Sequence, residues 1–212
     1  KKEGFNFMRY TGPKNKVARR EGQDLGLKTP GSNAHASLLR RINILPGAHS
    51  QKRRKKPSEY GLQLREKQKT RSIYGLGERQ FKRYFVVALA KKGRTGEAFL
   101  QTLESRLDNV IYRLAFTPTR AAARQLVGHG HVLVNGKKIN IPSALVKKDD
   151  LVTVDDKGMK IPFVANLLEE KNPHLPVWLV RKGPVGKVIK IPLREEIEGE
   201  INEQLIVEYY SR

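Results

Sequence analysis

Cysteine is absent from this 212-residue sequence. Without a thiol the chain can form no disulfide bond, and it cannot hold zinc or an iron–sulfur cluster through cysteine ligands. Apolar runs of the roughly 20 residues that span a bilayer are also lacking, and the N-terminus has no hydrophobic stretch of the secretory type. We therefore expect a protein that is neither embedded in a membrane nor secreted.

Acidic residues are scarce relative to basic ones. The chain has 42 Lys and Arg against 21 Asp and Glu, which gives a formal charge of +21 and a pI near 10.3. The excess is uneven, at +15 over residues 1–82, +7 over residues 83–150 and −1 over residues 151–212. So much like charge repels itself unless a polyanion neutralises it, and nucleic acid is the obvious polyanion. The first two-thirds of the chain is therefore predicted to face the nucleic acid.

The first 57 residues mix glycine, proline and basic residues with little periodicity, which predicts an irregular arm with one short helix near residues 14–20. Ser58 is a candidate N-cap for a helix over residues 59–72. A second helix, over residues 78–91, places Phe81, Phe85 and Leu89 on one face. An aromatic stripe at this spacing is typical of core, so we assign these three residues to the core.

Residues 95–116 have the apolar spacing of two consecutive helices that meet near Glu104 and Ser105. Opposite the apolar positions, Arg106, Asn109 and Arg113 recur at steps of three and four residues. We interpret one face as packed and this second one, the donor face, as offering hydrogen-bond donors.

After Pro118, Thr119 can cap a helix that continues to Gly128. Arg120 and Arg124 lie one turn apart on it, and the three alanines between them leave room for a bulky partner. Asn135-Gly136, between two β-prone runs, is a strong hairpin signal. Residues 151–154 predict a further strand. A helix N-terminus and a tight hairpin could together grip a phosphate backbone.

The remaining residues predict a short helix near 163–171 and strands at 177–180 and 185–191. The last segment, residues 201–210, is expected to be a helix that packs on an earlier domain. Because this part of the chain is near neutral, it suits structural support or protein contact better than RNA binding.

The stretch from Glu104 to Asp155, ESRLDNVIYRLAFTPTRAAARQLVGHGHVLVNGKKINIPSALVKKDDLVTVD, resembles the S-four RNA-binding module. Three other stretches resemble the S-four family of bacterial-type small-subunit ribosomal proteins. They are MRYTGPKNKVARREGQ from Met8, PSEYGLQLREKQKTRSIYGLGERQFK from Pro57 and NEQLIVEYYSR from Asn202. Together the four cover well over half of the chain in the expected order.

This resemblance implies an α+β protein with two domains. In that reading residues 1–57 are an irregular basic arm, residues 58–103 form a helical domain completed by residues 196–212, and residues 104–195 are the inserted S-four module with its small sheet. It also implies a primary binder of small-subunit ribosomal RNA that organises a 5′-domain junction during assembly. The family also lines the channel by which messenger RNA (mRNA) enters the subunit. It influences decoding accuracy where it meets the neighbouring protein S-five, and S-three is a further candidate neighbour.

The candidate RNA contacts are basic or polar side chains within or beside the resembling stretches. In the mRNA channel they are Lys52, Arg53, Arg54, Lys55 and Lys56. On the module they are Arg106, Arg113, Arg120, Arg124, Gln125, His129, His131, Asn135 and Lys137. Elsewhere they are Arg9, Lys14, Lys16, Arg19, Arg20, Arg65, Lys69 and Arg71.

The sequence departs from the family pattern at several places. Some relatives hold zinc with four cysteines near the N-terminus, and this chain has none, so we expect no metal, cofactor or small-molecule substrate. The family's Pro-Gly-Gln-His-Gly is replaced by Pro-Gly-Ala-His-Ser at residues 46–50, which puts a specific role for the missing side chains in doubt. Residues 24–45 match poorly, and the sequence does not predict their path.

Two rival functions stay open at this point. The first is an RNA-modifying enzyme with an S-four handle, but the flanks contain no Gly-rich cofactor loop, metal-ligand spacing or paired nucleophile. His129 and His131 lack further ligands, so phosphate contacts or ordinary loop histidines explain them better than a metal does. The second is a nucleic-acid packing protein without sequence preference, which the charge alone allows.

Overall fold

The computed structural model describes residues 10–47, 56–91, 93–170, 173–197 and 199–212. The chain forms two compact units. The described part of the first unit runs to Val87 and resumes at Ile201, and the second unit comprises residues 88–200. The first is helical and the second combines helices with an antiparallel sheet, so the predicted α+β class is confirmed. Within the described residues, no helix has both the length and the apolar character needed to cross a membrane.

Five helices belong to the first unit in its described part. They are α1 (Lys14–Glu21), α2 (Asn33–Leu39), α3 (Glu59–Ile73), α4 (Glu78–Leu89), whose last turn crosses into the second unit, and α10 (Glu203–Tyr210). The predicted helices near residues 14–20 and 59–72 are confirmed, and Ser58 caps α3 by accepting the backbone N–H of Gly61. The sequence did not predict α2, which Ser32 caps by accepting the backbone N–H of His35.

A small apolar cluster holds the described part of the N-terminal segment together. It consists of Ala18 of α1, Leu25 from the segment between α1 and α2, and Leu38 of α2. Ile73 of α3 packs against this cluster. The segment predicted as an irregular arm therefore contains two helices, which contact each other, and α1 also contacts α3.

The C-terminal helix α10 packs along α3, which confirms that the last segment is helical and joins an earlier part of the chain. Tyr210 stacks on Phe85 at 4.7 Å between ring centroids and donates its hydroxyl to Glu78 at 3.0 Å. Phe81 and Phe85 are buried as predicted, but Leu89 is 56% exposed, so its assignment to the core is wrong. Ala88 is buried instead. Residues three and four positions apart both lie on one side of a helix, and here the buried face continues from Phe85 to the residue three positions later.

The described part of the second unit contains the remaining elements. They are α5 (Thr95–Glu104), α6 (Leu107–Arg113), α7 (Arg120–Gly128), β1 (Val132–Val134), β2 (Lys137–Lys138), β3 (Leu151–Val154), α8 (Asp156–Met159), α9 (Pro162–Glu169), β4 (Leu179–Lys182), β5 (Val185–Val188) and a 3₁₀ helix (Arg194–Glu196). The strands lie in the order β2-β1-β3-β5-β4 and every neighbouring pair is antiparallel.

Two tight turns set the register of this sheet. Asn135 and Gly136 both have positive φ, at 51° and 77°, as the predicted two-residue hairpin of the primed type requires. The second turn, at Gly183 and Pro184, joins β4 to β5. This turn ends β4 at Lys182. The strand predicted at residues 177–180 therefore lies two residues further along the chain, at Leu179–Lys182.

One face of the sheet carries the core of the second unit. Leu107, Ile111 and Leu114 of α6 and its C-cap pack there with Trp178. Gly186 is required in β5, because a Cβ at this position would collide with the side chain of Leu114. The helical layer thus approaches the strand closely enough to exclude water.

Candidate nucleic-acid interface

Two of the predicted cations, Arg120 and Arg124, lie on the short helix α7. Thr119 caps it by accepting the backbone N–H of Ala122, as the sequence predicts. Arg120 and Arg124 are both half-buried and lie one turn apart. Arg120 Nε donates to Asn109 Oδ1 at 2.7 Å, and its guanidinium lies 4.4 Å from the centroid of the Tyr112 ring. These two contacts fix the plane of the Arg120 guanidinium.

The predicted donor face of α6 is wrong at Arg113 and Asn109. Arg113 Nε and Nη2 donate to the two oxygens of Glu104, each at 3.1 Å, and Asn109 Nδ2 donates to Glu104 Oε2 at 2.7 Å. All three residues are buried. Their polar atoms therefore bind one another inside the unit.

Arg106 is also buried. Its side chain is 0% exposed, and its Nε and Nη2 donate to the two oxygens of Asp108 at 3.0 and 2.6 Å. The periodicity of α5 and α6 gave the right helices but the wrong environment, because the polar side of these helices is covered by other parts of the same unit. Arg106 and Arg113 therefore do not belong to the candidate interface.

The turn after α7 and the β1–β2 hairpin present a second group of predicted residues. Gln125, His129 and Lys137 are exposed. His131 is half-buried with its Nδ1 3.1 Å from Asp155 Oδ1. Asn135 is exposed, but its side chain is engaged within the unit.

The side chain of Asn135 ties the hairpin turn to the start of β3. Its Nδ2 donates to Asp150 Oδ1 at 2.8 Å, and its Oδ1 accepts the backbone N–H of Leu151 at 2.9 Å. Asp150 also accepts the backbone N–H of Lys147 at 2.7 Å. These bonds fix the position of the hairpin. Asn135 therefore has a structural role, and it supports the surface on which the neighbouring cations lie.

The structure adds three exposed cations that the sequence analysis did not select: Lys138, Lys147 and Lys148. The Lys138 side chain passes over Gly130, whose missing Cβ would come within 2.7 Å of Lys138 Cε. Lys138 therefore lies beside the turn that carries His129 and His131. A basic pair next to a predicted hairpin turn is the signal that could have identified it. We call Lys137, Lys138, Lys147 and Lys148 the hairpin cations.

The predicted residues of the first unit have varied surroundings. Arg19 Nε and Nη2 donate to the carbonyls of Ile44 and Leu45 at 2.8 and 2.9 Å, so Arg19 holds the chain after α2. Three other predicted residues form ion pairs: Arg65 with Glu21 at 3.2 Å, Lys69 with Glu66 at 2.9 Å, and Arg71 with Glu78 at 3.3 Å. Lys16, Arg20 and Lys56 are exposed and Lys14 is half-buried. Arg9, Lys52, Arg53, Arg54 and Lys55 lie outside the described residues.

Burial and ion pairing perturb two carboxyl groups of the first unit in opposite directions. Burial raises the pKa of Glu21 above its ordinary value, in spite of the nearby Arg65. Burial acts in the same direction on Glu78, but hydrogen bonds from Lys67 and Tyr210 outweigh it and hold the pKa of Glu78 below its ordinary value. In the described part of the chain, no three His, Asp or Glu side chains form a group that could hold a metal ion.

Two family models match adjacent parts of the chain. The model described as "Ribosomal protein S4/S9 N-terminal domain" matches residues 9–104, and the model described as "S4 domain" matches residues 105–152. The second match contains α7, its two arginines and the hairpin cations.

Full-length relatives are also similar to the chain. The small ribosomal subunit protein uS4 of Herpetosiphon aurantiacus is 50% identical over 212 residues, which cover 97% of this chain and 100% of the relative. The protein uS4A of Symbiobacterium thermophilum and the uS4 of Ralstonia pickettii are each 48% identical, with the same coverage. The chain belongs to the family of small ribosomal subunit protein uS4.

Proposed function

We propose that this chain is a structural, non-enzymatic component of the small ribosomal subunit and that it binds the ribosomal RNA there. The proposal depends mainly on one observation. Arg120, which Asn109 and Tyr112 hold in place, lies together with Arg124 and the hairpin cations within the stretch that the S4 domain model matches. The excess of positive charge supports it, because a protein with a charge of +21 needs a polyanionic partner.

Phosphate contacts supply most of the affinity in this proposal. Each phosphate that a cation neutralises releases condensed counterions, so binding weakens as salt rises. The hairpin cations suit this task because they are exposed. Lys137 and Lys138 lie on the hairpin that Asn135 holds in place, and Lys147 and Lys148 lie in the loop before β3, where Asp150 accepts the backbone N–H of Lys147.

Shape supplies the specificity. The deep major groove of an RNA helix hides the base edges, so a protein recognises the arrangement of phosphates and 2′-hydroxyls instead. A guanidinium held in one plane loses little freedom on binding a phosphate, and a guanidinium can bind it with two parallel hydrogen bonds. Arg120, held by Asn109 and Tyr112, is oriented before the RNA arrives.

The finer roles follow from the resemblance to the ribosomal family. We propose that the chain organises a multi-helix junction of the 5′ domain early in assembly, and that the basic run at residues 52–56 lies beside the channel by which mRNA enters. We also propose that contact with the neighbouring S-five protein gives the chain an influence on decoding accuracy. S-three is a further candidate neighbour.

A titration of the full chain against a 5′-domain fragment of small-subunit ribosomal RNA tests the central proposal. A random duplex of equal length at the same salt concentration serves as the control. We expect the fragment to bind at least about a thousandfold more tightly than the duplex, as specific nucleic-acid complexes do. Equal affinities for the two RNAs would instead identify a packing protein without sequence preference.

A separate experiment tests the role in the mRNA channel. In the variant with Lys52, Arg53, Arg54, Lys55 and Lys56 all replaced by Ala, we expect nearly unchanged affinity for the 5′-domain fragment but slower translation through a stable mRNA hairpin. Ribosomes that carry the variant and pass the hairpin at the wild-type rate would contradict this role.

A further inference from the structure

The sheet of the second unit has another face, directed away from its core. Alternate residues of a strand point to opposite faces. Val152 and Val154 of β3, Leu179 of β4 and Val188 of β5 belong to the core cluster, so their neighbours point outward. On β3, β4 and β5 the outward residues are Leu151, Thr153, Val180, Lys182, Val185 and Lys187, and we call these six the outer sheet face.

The register places these six side chains in two rows. Leu151 lies opposite Lys187, and Lys187 lies opposite Val180. Thr153 lies opposite Val185, which lies opposite Lys182. Side chains that face each other across antiparallel strands are about 5 Å apart. Aliphatic side chains and lysines are therefore interleaved over a continuous strip of three strands.

The aliphatic side chains in this strip are open to solvent. Leu151 is 44% exposed, Val180 is 41% exposed and Val185 is 37% exposed. Single exposed aliphatic residues are common, but a contiguous group bordered by charged residues is typical of an interaction surface. The pattern also differs from an ordinary solvated sheet face, which would carry polar residues at these positions.

The charge on the strip is positive. Lys187 Nζ lies 3.1 Å from Asp149 Oδ1, but both side chains are about half exposed or more, so this ion pair is weak and can be exchanged for another. Lys182 is exposed as well. A partner that covers the strip has to bring carboxylates or phosphates to these two lysines.

We propose that the outer sheet face docks an acidic protein segment in which carboxylates alternate with apolar side chains. Protein interfaces combine an apolar centre with a polar rim, and Leu151, Val180 and Val185 between two lysines fit that arrangement. The carboxylates of the segment pair with Lys182 and Lys187, while its apolar side chains cover the three aliphatic residues. The proposal goes beyond RNA binding and uses none of the residues assigned to the RNA interface.

RNA fits this surface less well. Sheets that bind single strands stack the bases on aromatic rings, and the outer sheet face has no aromatic residue. Double-stranded RNA would place phosphates against Leu151, Val180 and Val185, which would remove water from the phosphates without replacing its hydrogen bonds. The interleaved aliphatic residues therefore favour a protein partner.

Site-specific photocrosslinking in assembled subunits tests the proposal. The substitution Val180→p-benzoylphenylalanine is made in the full chain, and small subunits are reconstituted from ribosomal RNA and total small-subunit proteins. After irradiation, mass spectrometry identifies the crosslinked peptide. We expect a protein segment rich in Asp and Glu that alternate with apolar residues. The substitution Val86→p-benzoylphenylalanine, at an exposed position of α4, is the matched control and should not crosslink to that segment.

Charge reversal provides the second arm of the test. With Lys182→Glu and Lys187→Glu present together, we expect the yield of this crosslink to fall roughly fivefold, since an exposed ion pair contributes a factor of a few to affinity. The control pair Lys157→Glu and Lys160→Glu reverses two exposed lysines elsewhere in the unit and should leave the yield unchanged.

If the reversed variant fails to fold, as judged by circular dichroism, Leu151→Thr with Val185→Thr replaces it, since threonine also favours strands. The yield should again fall. A crosslink to ribosomal RNA, a crosslink to a basic or uncharged segment, no crosslink at all, or a yield that ignores these substitutions would overturn the proposal.

Discussion

The α5–α6 segment contains two basic residues, Arg106 and Arg113, and the segment formed by α7 and the β1–β2 hairpin contains four, but the two segments use them differently. In α5–α6 the charges of Arg106 and Arg113 are neutralised inside the unit by Asp108 and Glu104. In α7 and the hairpin most basic side chains are exposed or half-buried. A count of cations does not show this difference, whereas burial and the position of the carboxylates distinguish cations that are paired inside the unit from cations that remain at its surface.

The largest expected effect comes from breaking a buried ion pair in the first of these segments. Arg106→Ala leaves the Asp108 carboxylate buried without its bidentate partner, and such a loss destabilises a protein by about 3–5 kcal/mol. We expect urea unfolding to show a decrease of this size, and Lys137→Ala, at an exposed position, to change stability by less than about 0.5 kcal/mol.

The double variant Arg106→Ala with Asp108→Ala sharpens this comparison. Removing both charges should recover much of the lost stability, because no uncompensated charge is left buried. An Arg106→Ala variant of wild-type stability that had lost affinity for the 5′-domain RNA would show instead that Arg106 contacts RNA.

Substitutions in the second segment are expected to change RNA binding rather than stability. With Arg124, Lys137 and Lys138 all replaced by Ala, the salt dependence of binding to the 5′-domain fragment should become shallower by about 2 to 3 units of log K per unit of log salt, since each phosphate contact contributes about 0.7–0.9. Titrations at several salt concentrations measure this slope. The control Lys157→Ala with Lys160→Ala also removes exposed charge but should leave the slope unchanged.

A smaller effect is expected on acidification of the first unit, where the ion pairs are neither fully buried nor fully exposed. Hydrogen bonds from Lys67 and Tyr210 hold the pKa of Glu78 below its ordinary value of 4.5, in spite of burial. A lowered pKa in the folded state means that the stabilisation is present above pH 4.5 and is lost as the pH falls through the lowered value. Because Glu78 is 43% exposed, we expect no more than about 1 kcal/mol from this source.

Urea unfolding of the wild type and of Glu78→Gln measures this contribution at a series of pH values that extends about one and a half units to either side of the ordinary value. The difference in stability between the two should shrink as the pH falls below 4.5. A difference that stays constant over this range would mean that Glu78 does not titrate with a lowered pKa.

Much of the fold was predictable because its signals are local. The caps at Ser58 and Thr119, the Asn135-Gly136 turn and the apolar spacing of α5 and α6 each depend on residues a few positions apart. Helix α2 was missed because only seven residues follow its capping residue Ser32, which is too few to show a helical period. The late strand β4 was misplaced because the turn at Gly183 and Pro184, rather than the apolar run, determines where it begins.

The candidate site was predictable only in part. The structure leaves the selected cations of α7 and Lys137 at the surface, where RNA contact stays a prediction. The sequence also selected Arg106, Arg113 and Arg19, whose side chains bind carboxylates or carbonyls of the same chain. It assigned Asn135 to the RNA, although its side chain ties the hairpin to β3. Partners such as Glu104 for Arg113 are nine residues away in the sequence, so helical spacing alone does not reveal them.

The sequence by itself determined the charge of the protein, its α+β class, most of its helices and its main hairpin, because these follow from composition and from interactions between neighbouring residues. Tertiary structure decided which cations remain at the surface and which faces of the helices and the sheet are covered. The physical reason is that an arginine is available to a partner only if no carboxylate of its own chain reaches it first, and that depends on residues brought together by packing.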